Sequence, residues 1–567
     1  MKTGTTGLTT LICAALVSYT PRMSAADEAS ARVRPNSMSS AATSDEVQHL
    51  RLQLAEQQRQ IDELRRALLE QRRVIDGLTG GGSKPPAMSS PVPTSLGELA
   101  SRTPVIPAAH AAIPSPAGPV PQSSSDDQPS PLQLRVGSTT ITPVGFMDFT
   151  LISRSTNPGT GIGTNFGSIP LKTAIAGNLS ETRLSAQNSR IGLRADANVR
   201  NAHVLGYLEA DFLGFVPQNA AVSNNADTLR LRLFWASLRT GKFEFLGGQS
   251  WTMLTPNRKG ISALPSDLFY TQVIDVNYQA GLTWARDPGF RVLYHPSQTA
   301  TLGVSFENPE QYIGGSAGGG IITLPAALAT PYATQLDNGT TTLSTPNLHP
   351  DIIAKVALDP KLPNGRGFHL EFAGVQRTFK VYNPLSDRKF TSLGGAGAVN
   401  LNIELFKDFR FITNNYYGTG GGRYIFGQAP DVIVRPDGSL SPIHSGSTVT
   451  GFEWVVKNTL IYAYYGGIYI RRNLSVDLTT GKPVLVGYGY SGSPGGQNRT
   501  IHEASFGFNQ TFWKDPRWGA LSLMGQYSYL QRNPWSVATG QPDNAHLHMA
   551  FLNLRYTLPG APPAIEH

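Results

Sequence analysis

Four arginines at even spacings are the residues of this sequence best suited to bind a ligand. Arg190 and Arg194 lie four residues apart, and Arg230 and Arg232 lie two apart, with apolar residues such as Leu231 between them. Successive side chains of a β-strand point to opposite faces, so these spacings place the guanidinium groups on one face. Guanidinium groups along a wet passage bind carboxylates and raise the local concentration of anions. The chemistry predicted is therefore anion binding without a chemical step.

Two further cations, Arg258 and Lys259, lie in the long segment 252–288. Loops longer than about 15 residues are usually functional or disordered, so we expect this one to fold into the passage and narrow it. An alternative role for the arginines is to pair with acids on the same face and stiffen the wall, and the two roles are compatible. The candidate acids are Glu209, Asp211 and Glu244.

Signals for catalysis or metal binding are weak. His546 and His548 share one face of the last predicted strand, but no acid or cysteine accompanies them at ligand spacing. The only cysteine is Cys13, and Gly420–Gly422 lacks the strand-to-helix context of a phosphate loop. We therefore expect no catalytic residues, no metal, no cofactor, no enzymatic activity and no nucleic-acid binding.

The elements that must position the arginines are strands. Residues 189–197, 203–213 and 227–239 each alternate apolar and polar side chains. In the third, Leu229, Leu231, Leu233 and Trp235 are predicted to face away from the two arginines. Sixteen strands are predicted at 143–155, 184–197, 203–213, 227–239, 242–251, 289–296, 299–308, 350–359, 367–380, 396–407, 409–417, 448–457, 459–472, 500–513, 518–531 and 544–558.

The connections between these strands alternate between short and long. Short ones fall at 198–201, 240–241, 297–298, 359–367, 407–408, 458 and 514–518, and long ones at 156–183, 214–226, 252–288, 309–349, 381–395, 418–447, 473–499 and 532–543. This alternation of short turns and long loops is typical of outer-membrane barrels. A charged side chain facing lipid would cost roughly 2–4 kcal/mol at the midplane, so the arginines must face a lumen. The sequence predicts a 16-stranded antiparallel transmembrane β-barrel over 133–558, with a tail at 559–567.

The N-terminus has the pattern of a secretory signal peptide, which we place at residues 1–26. A short basic start at Met1–Lys2 precedes the apolar stretch Leu8–Val17 and the small residues Ser24–Ala26. Beyond the first twenty residues, no run approaches the roughly 18–20 apolar residues of a spanning helix.

Heptads with two apolar positions follow, and they predict a periplasmic α-helical coiled coil at 45–79. At 1.5 Å per residue the heptads would form a rod of about 48 Å. The heptads alone do not separate dimer from trimer, and an amphipathic helix lying on the barrel is the alternative. A Pro-, Ser- and Ala-rich linker fills 80–132. The proposed oligomerisation residues are Val47, Leu50, Leu54, Gln57, Ile61, Leu64, Leu68, Gln71, Ile75 and Leu78.

Charge is distributed unevenly. The formal net charge is +8, while acidic and basic residues balance over 1–131. The basic excess therefore belongs to the predicted barrel.

Several short motifs resemble the DcaP-like trimeric porins of bacterial outer membranes. They are Asn165–Pro170, Ser189–Arg194, Gly206–Phe212, Arg230–Arg232, Gly247–Thr252, Glu307–Asn308 and Gly422–Ile425. The resemblance covers most of 133–558 together with the coiled coil. It implies a homotrimer and an arginine-lined constriction that passes small anionic solutes such as dicarboxylates. It also adds Arg423 to Arg190, Arg194, Arg230 and Arg232 as solute-contacting positions.

The resemblance has departures. These barrels usually end in an aromatic residue, whereas here Tyr556 precedes a tail, and the loops at 309–349 and 418–447 are long. We expect a passive outer-membrane porin for small anions, surrounded by lipid. The alternative is a structural barrel with a largely closed pore, whose coiled coil and linker contact peptidoglycan.

Overall fold

The computed structural model describes residues 131–214, 228–268, 271–315, 318–339, 345–479 and 481–559. The predicted signal peptide and coiled coil, nearly all of the linker, and the tail beyond residue 559 lie outside these residues and stay predictions. None of the described helices is long and apolar enough to cross a membrane.

Strands dominate the described part of the chain. They are β1 (Leu134–Val136), β2 (Thr139–Arg154), β3 (Glu181–Ser185), β4 (Arg190–Val199), β5 (Ala202–Asp211), β6 (Arg230–Thr240), β7 (Phe243–Trp251), β8 (Arg286–Ser297), β9 (Ala300–Glu307), β10 (Asp351–Leu358), β11 (Phe368–Asn383), β12 (Arg388–Phe406), β13 (Phe409–Thr419), β14 (Val432–Val434), β15 (Leu440–Pro442), β16 (His444–Val456), β17 (Thr459–Ile470), β18 (Asn473–Asp477), β19 (Val484–Tyr488), β20 (Asn498–Asp515), β21 (Gly519–Pro534) and β22 (Ala545–Thr557). The one α-helix among them is the single turn Ala329–Tyr332.

Antiparallel pairing joins these strands into a closed barrel. β3 and β4 both pair with β2 and occupy one position, while β22 pairs with β2 and closes the sheet. β14–β15 and β18–β19 are hairpins within loops. β1 pairs with the start of β2 beyond the end of β22 and adds no further position. The remaining neighbours give sixteen strand positions in the described chain, as predicted. Short turns gather at one end of the barrel and most long loops at the other, called here the short-turn end and the long-loop end.

Two details of the strand prediction are wrong. The predicted loop 381–395 is a tight turn, because β11 and β12 stay paired up to Asn383 and Arg388. Glycines at 394, 395 and 397 made this stretch resemble a loop, although each is paired within the sheet.

The second error is the orientation of Leu233 and Trp235, which are buried, whereas Phe234 is half-exposed. A bulge sets Ala210 opposite Leu231 and Glu209 opposite Leu233, so Arg232 is the extra residue. One extra residue reverses the alternation beyond it.

The two faces of the wall differ sharply in polarity. Outward positions carry exposed apolar side chains, including Phe149, Leu193, Phe290, Phe372 and Leu552. Inward positions carry most of the buried charged side chains. This distribution is the reverse of a soluble β-sandwich, whose inner face is apolar.

The seam between the first and last strands is closed by polar side chains as well as backbone bonds. Asp148 of β2 accepts a bond from Arg555 Nε of β22 at 2.7 Å. The other carboxylate oxygen accepts from Thr150 at 2.6 Å and from the Asn553 amide at 2.5 Å. All four side chains are buried, and this hydrogen-bonded group on the inner face is called here the polar lock.

Candidate functional site inside the barrel

The segment between β7 and β8, residues 252–285, lies inside the barrel and is called the inner loop. Nearly all of its described residues are buried. Its backbone bonds to inward-facing side chains of distant strands: Gln272 donates to Tyr464 Oη of β17 at 3.1 Å, and Ala280 donates to Glu503 Oε2 of β20 at 2.7 Å. The loop therefore crosses the interior and contacts the opposite wall.

The first half of the inner loop descends along β10 and β11. Lys355 of β10 donates to the Thr255 carbonyl at 2.9 Å. Gly260 donates at 3.0 Å to Asp359, which lies in the turn between β10 and β11. Because that turn belongs to the short-turn end, the loop reaches from the long-loop end almost to the opposite mouth.

Near the short-turn end, the inner loop is held to the wall by a bidentate ion pair. The two terminal nitrogens of Arg258 lie 2.9 and 2.8 Å from the two carboxylate oxygens of Glu453 on β16. Tyr464 donates to the same carboxylate at 2.8 Å. Arg410 of β13 is buried beside this group, and among the described residues it has no hydrogen bond or ion pair of its own. Arg258 and Arg410 thus both lie beside Glu453, and Glu404 of β12 also compensates the charge of Arg410.

Three of the predicted arginines, on β4 and β6, meet two acids of β5 in a group called here the arginine wall. Glu209 binds Arg190 at 3.0 Å and Arg232 at 2.7 Å. Asp211 binds Arg230 at 2.6 Å and Arg232 at 2.9 Å. The alternating pattern of β4 and β5 and the bulge at Arg232 together bring these side chains to one inner surface.

The arginine wall has more positive than negative charge. Arg286 of β8 joins it through Trp251, whose ring centre lies 5.5 Å from the guanidinium carbons of both Arg232 and Arg286. Four guanidinium groups are then served by two carboxylates. The Nε and one terminal nitrogen of Arg190 have no hydrogen-bond partner among the described residues. A buried donor of this kind is usually satisfied by water or an ion.

Arg423 belongs to a separate cluster near the long-loop end. It lies 2.5 Å from Asp287, and its guanidinium carbon is 4.7 Å from the centre of the Tyr424 ring. Arg377 of β11 binds Asp351 and Asp431 at 2.8 Å each. Three carboxylates against two guanidinium groups make this cluster net negative.

The predicted site residues therefore fall into several groups. Arg190, Arg230 and Arg232 form the arginine wall, while Arg194 pairs with Asp196 on its own strand at 2.8 Å. Arg258 fastens the inner loop, Lys259 beside it is exposed, and Arg423 lies in the cluster near the long-loop end. The predicted pairing of Glu209 and Asp211 with arginines is present, whereas Glu244 lies 3.3 Å from His295 instead.

Sequence reasoning missed Arg286, Arg377 and Arg410. The segment Phe409–Phe411 carries the same apolar–Arg–apolar signal as β6 and could have identified Arg410. Around Arg377 the neighbouring inward positions, Val375 and Phe379, are apolar. The alternation of polar and apolar residues therefore did not identify the inner face there. His546 and His548 face outward on β22, and the described residues contain no group of three or more metal-binding side chains.

Asp275 of the inner loop is a buried carboxylate whose charge is poorly compensated. Its Oδ1 accepts from the Asn277 backbone at 2.8 Å, whereas its Oδ2 has no hydrogen-bond partner among the described residues. Burial raises the pKa of Asp275 to about 6, although the nearby Arg154 opposes this shift.

We predict that acidification stabilises the second half of the inner loop. The folded pKa of about 6 exceeds the unfolded value, so the stabilisation from proton binding is complete below the unfolded pKa of about 3.9 and is lost as the pH rises through about 6. Hydrogen exchange of residues 271–285, corrected for intrinsic rates, should be slower at about pH 5 than at about pH 7.5. Asp275→Asn should weaken the pH dependence; a variant with unchanged pH dependence would locate the titrating group elsewhere.

Comparison with known proteins gives matches to solved structures alone. No protein-family model matches the chain, and no curated protein sequence does. The outer membrane channel DcaP of Acinetobacter baumannii is similar over 74% of this chain and 97% of its own, with 17% identity and a TM-score of 0.52. An anion-selective porin from Comamonas acidovorans matches 74% of this chain and 99% of its own, with 11% identity and a TM-score of 0.41. The chain thus has the barrel fold of the DcaP channel, which agrees with the resemblance found in its sequence.

Proposed function

We propose that this protein is an outer-membrane porin of the DcaP-like type, through which small anionic solutes such as carboxylates and dicarboxylates diffuse passively. The observation that carries the proposal is a closed barrel with an apolar outer wall, a charged inner wall and a long loop folded inside. Barrels and helices are the only folds that satisfy every backbone group within lipid.

Aromatic side chains on the outer wall support the membrane location. Trp454, Trp513 and Trp518 are exposed near the short-turn end, while Tyr417 and Tyr469 are exposed toward the long-loop end. Two aromatic girdles bordering an apolar band are the pattern of membrane barrels. In such barrels the short turns face the periplasm, which would place the predicted coiled coil there.

Anion preference is supported by two basic groups on the inner wall, although the cluster around Arg377 and Arg423 is net negative. The arginine wall has an excess of guanidinium groups, and Arg190 retains unpaired donors among the described residues. Near the periplasmic mouth, Arg258 and Arg410 share Glu453. Guanidinium groups present paired donors that fit a carboxylate in a bidentate geometry, so a solute carboxylate is suited to these positions.

Planar-bilayer recording tests the proposal. A porin should conduct, with a reversal potential in a potassium chloride gradient that favours chloride, and the proposed trimer should close in three equal steps. Deleting residues 27–131 should leave conduction intact. A protein that inserts without conducting would instead be the structural barrel with a closed pore.

A matched pair of variants tests the charge argument, and we predict opposite effects on selectivity. Glu453→Gln removes the carboxylate that lies beside both Arg258 and Arg410 and should raise the chloride-to-potassium permeability ratio roughly twofold, the effect of one charge across several ångströms of water. Arg258→Gln leaves Glu453 to Arg410 alone and should lower the ratio by a similar factor. Changes of the same sign in both variants would contradict electrostatic control at this mouth.

A further inference from the structure

A groove of about 510 Å³ opens on the outer wall between β12 and β20. Gly397, Gly446 and Gly467 contribute to its lining, and the absence of side chains there makes the wall concave. Tyr465 and Tyr469 border it. The groove faces outward, away from the inner loop and the arginine wall.

At the long-loop end of this groove, two arginines converge on one tryptophan. The guanidinium carbon of Arg472 lies 4.3 Å from the ring centre of Trp535, and that of Arg499 lies 5.9 Å from the same centre. The two guanidinium carbons are therefore at most 10.2 Å apart. The indole is held in place by a 3.0 Å bond from its Nε1 to the Ile470 carbonyl.

Within the described ranges, these two cations lack an acidic counterpart. Both arginines are exposed, and neither has an ion-pair partner in the part of the chain that the structure describes. The adjacent Arg471 is exposed as well. Holding like charges this close without a carboxylate is unfavourable, and an anion between them would remove the repulsion. Arginine is well suited to this task because its planar fork matches phosphate oxygens.

The cation pair and the groove are continuous. Tyr469 and Thr500 line the groove, and they lie three residues before Arg472 and directly after Arg499. At about 3.3 Å per residue of extended chain, the Cα atoms of the two arginines lie within about 10 Å of the Cα atoms of these lining residues. An anion held by the pair would thus have an outward apolar channel beside it.

We propose that this surface binds a membrane lipid with a phosphate head, the phosphate lying between Arg472 and Arg499 and an acyl chain lying in the groove. The inference rests on the proposed insertion into a membrane. A free phosphate would contact the two arginines alone, whereas a lipid would contact both the arginines and the groove. Because the arginines and the groove are continuous, a lipid is favoured.

Native mass spectrometry of the purified protein in detergent tests this proposal, with dioleoylphosphatidic acid, dioleoylphosphatidylcholine and inorganic phosphate as the probes. Phosphatidic acid should bind more tightly than phosphatidylcholine. The double variant Arg472→Gln/Arg499→Gln should weaken phosphatidic acid binding roughly tenfold and abolish the preference. Arg388→Gln is the matched control, since Arg388 is also exposed at the long-loop end and lies alone over Phe390 at 5.2 Å.

A groove-filling variant separates the lipid from a free anion. A Cβ at Gly467 would meet its nearest atom, Tyr465 Oη, at 3.5 Å, so a side chain fits the backbone there. Gly467→Leu should weaken both lipids and leave inorganic phosphate binding unchanged. Lipid binding that Gly467→Leu leaves intact, or a headgroup preference that survives the double variant, would overturn the proposal. Conductance measured on the same preparation reports on the porin proposal separately.

Discussion

Glu209→Gln is expected to lower the free energy of unfolding by about 3–5 kcal/mol, the usual cost of removing one partner from a buried ion pair. Glu209 is 1% exposed and binds two guanidinium groups that are 2% and 0% exposed. It also accepts from the Tyr207 hydroxyl at 3.0 Å. A neutral amide would leave Arg190 and Arg232 without this countercharge, so thermal unfolding in detergent, followed by circular dichroism, should begin at a markedly lower temperature.

The matched control is Asp387→Asn, which also replaces a carboxylate with an amide. Asp387 is exposed, its described side-chain bond is to the exposed Tyr382 hydroxyl, and its φ of 51° suits asparagine. Its effect should stay within about 0.5 kcal/mol. Equal unfolding temperatures for the two variants would mean that water in the lumen solvates the guanidinium groups of the arginine wall in place of Glu209. The wall would then be less rigid than its short nitrogen–oxygen distances indicate.

Removing the inner loop is expected to raise the single-channel conductance severalfold. Trp251 and Arg286 are paired across β7 and β8, so a two-residue Asn-Gly turn can replace residues 252–285 without moving either strand. The replacement would empty the part of the lumen that the loop now crosses. Bilayer recording of the folded variant, with folding checked by its heat-dependent mobility in gels, provides the measurement.

A control of the same design is available at the β18–β19 hairpin. Asp477 and Val484 are paired there, so the same two-residue turn can replace residues 478–483, and this change should leave the conductance unchanged. If only the variant without the inner loop conducted, the native loop would close the pore, and the structural-barrel alternative would be favoured. An unchanged conductance would place the narrowest section elsewhere in the barrel.

The strands could be predicted from the sequence because their signal is local. Alternation assigned Arg190, Arg194, Glu209 and Asp211 to the inner face, and each is buried there. The prediction was wrong beyond Arg232, because a bulge depends on how two strands pair and leaves no mark in either strand alone. The hairpin at 384–387 was missed because Gly394 and Gly395 of β12 resemble loop residues, although both are paired within the sheet.

The partners of the inward cations could not be predicted in the same way. Arg258 and Glu453 are 195 residues apart, and nothing near either residue indicates the other. Likewise, the contact between Arg377 and Asp431 requires a loop to return onto the wall of β11. Alternation specifies which way a side chain points, whereas the charge balance of a cluster depends on the full three-dimensional arrangement.

The polar lock at the β2–β22 seam has a consequence for assembly. Asp148 and Arg555 are 407 residues apart, so the two edges can join only after nearly the whole polypeptide has been produced. A slip of one residue in pairing would turn Asp148 or Arg555 onto the apolar outer face of the barrel, and such a misaligned product would be disfavoured. The seam therefore selects one alignment of the last strand, and a chain truncated before β22 would leave the edge of β2 unpaired.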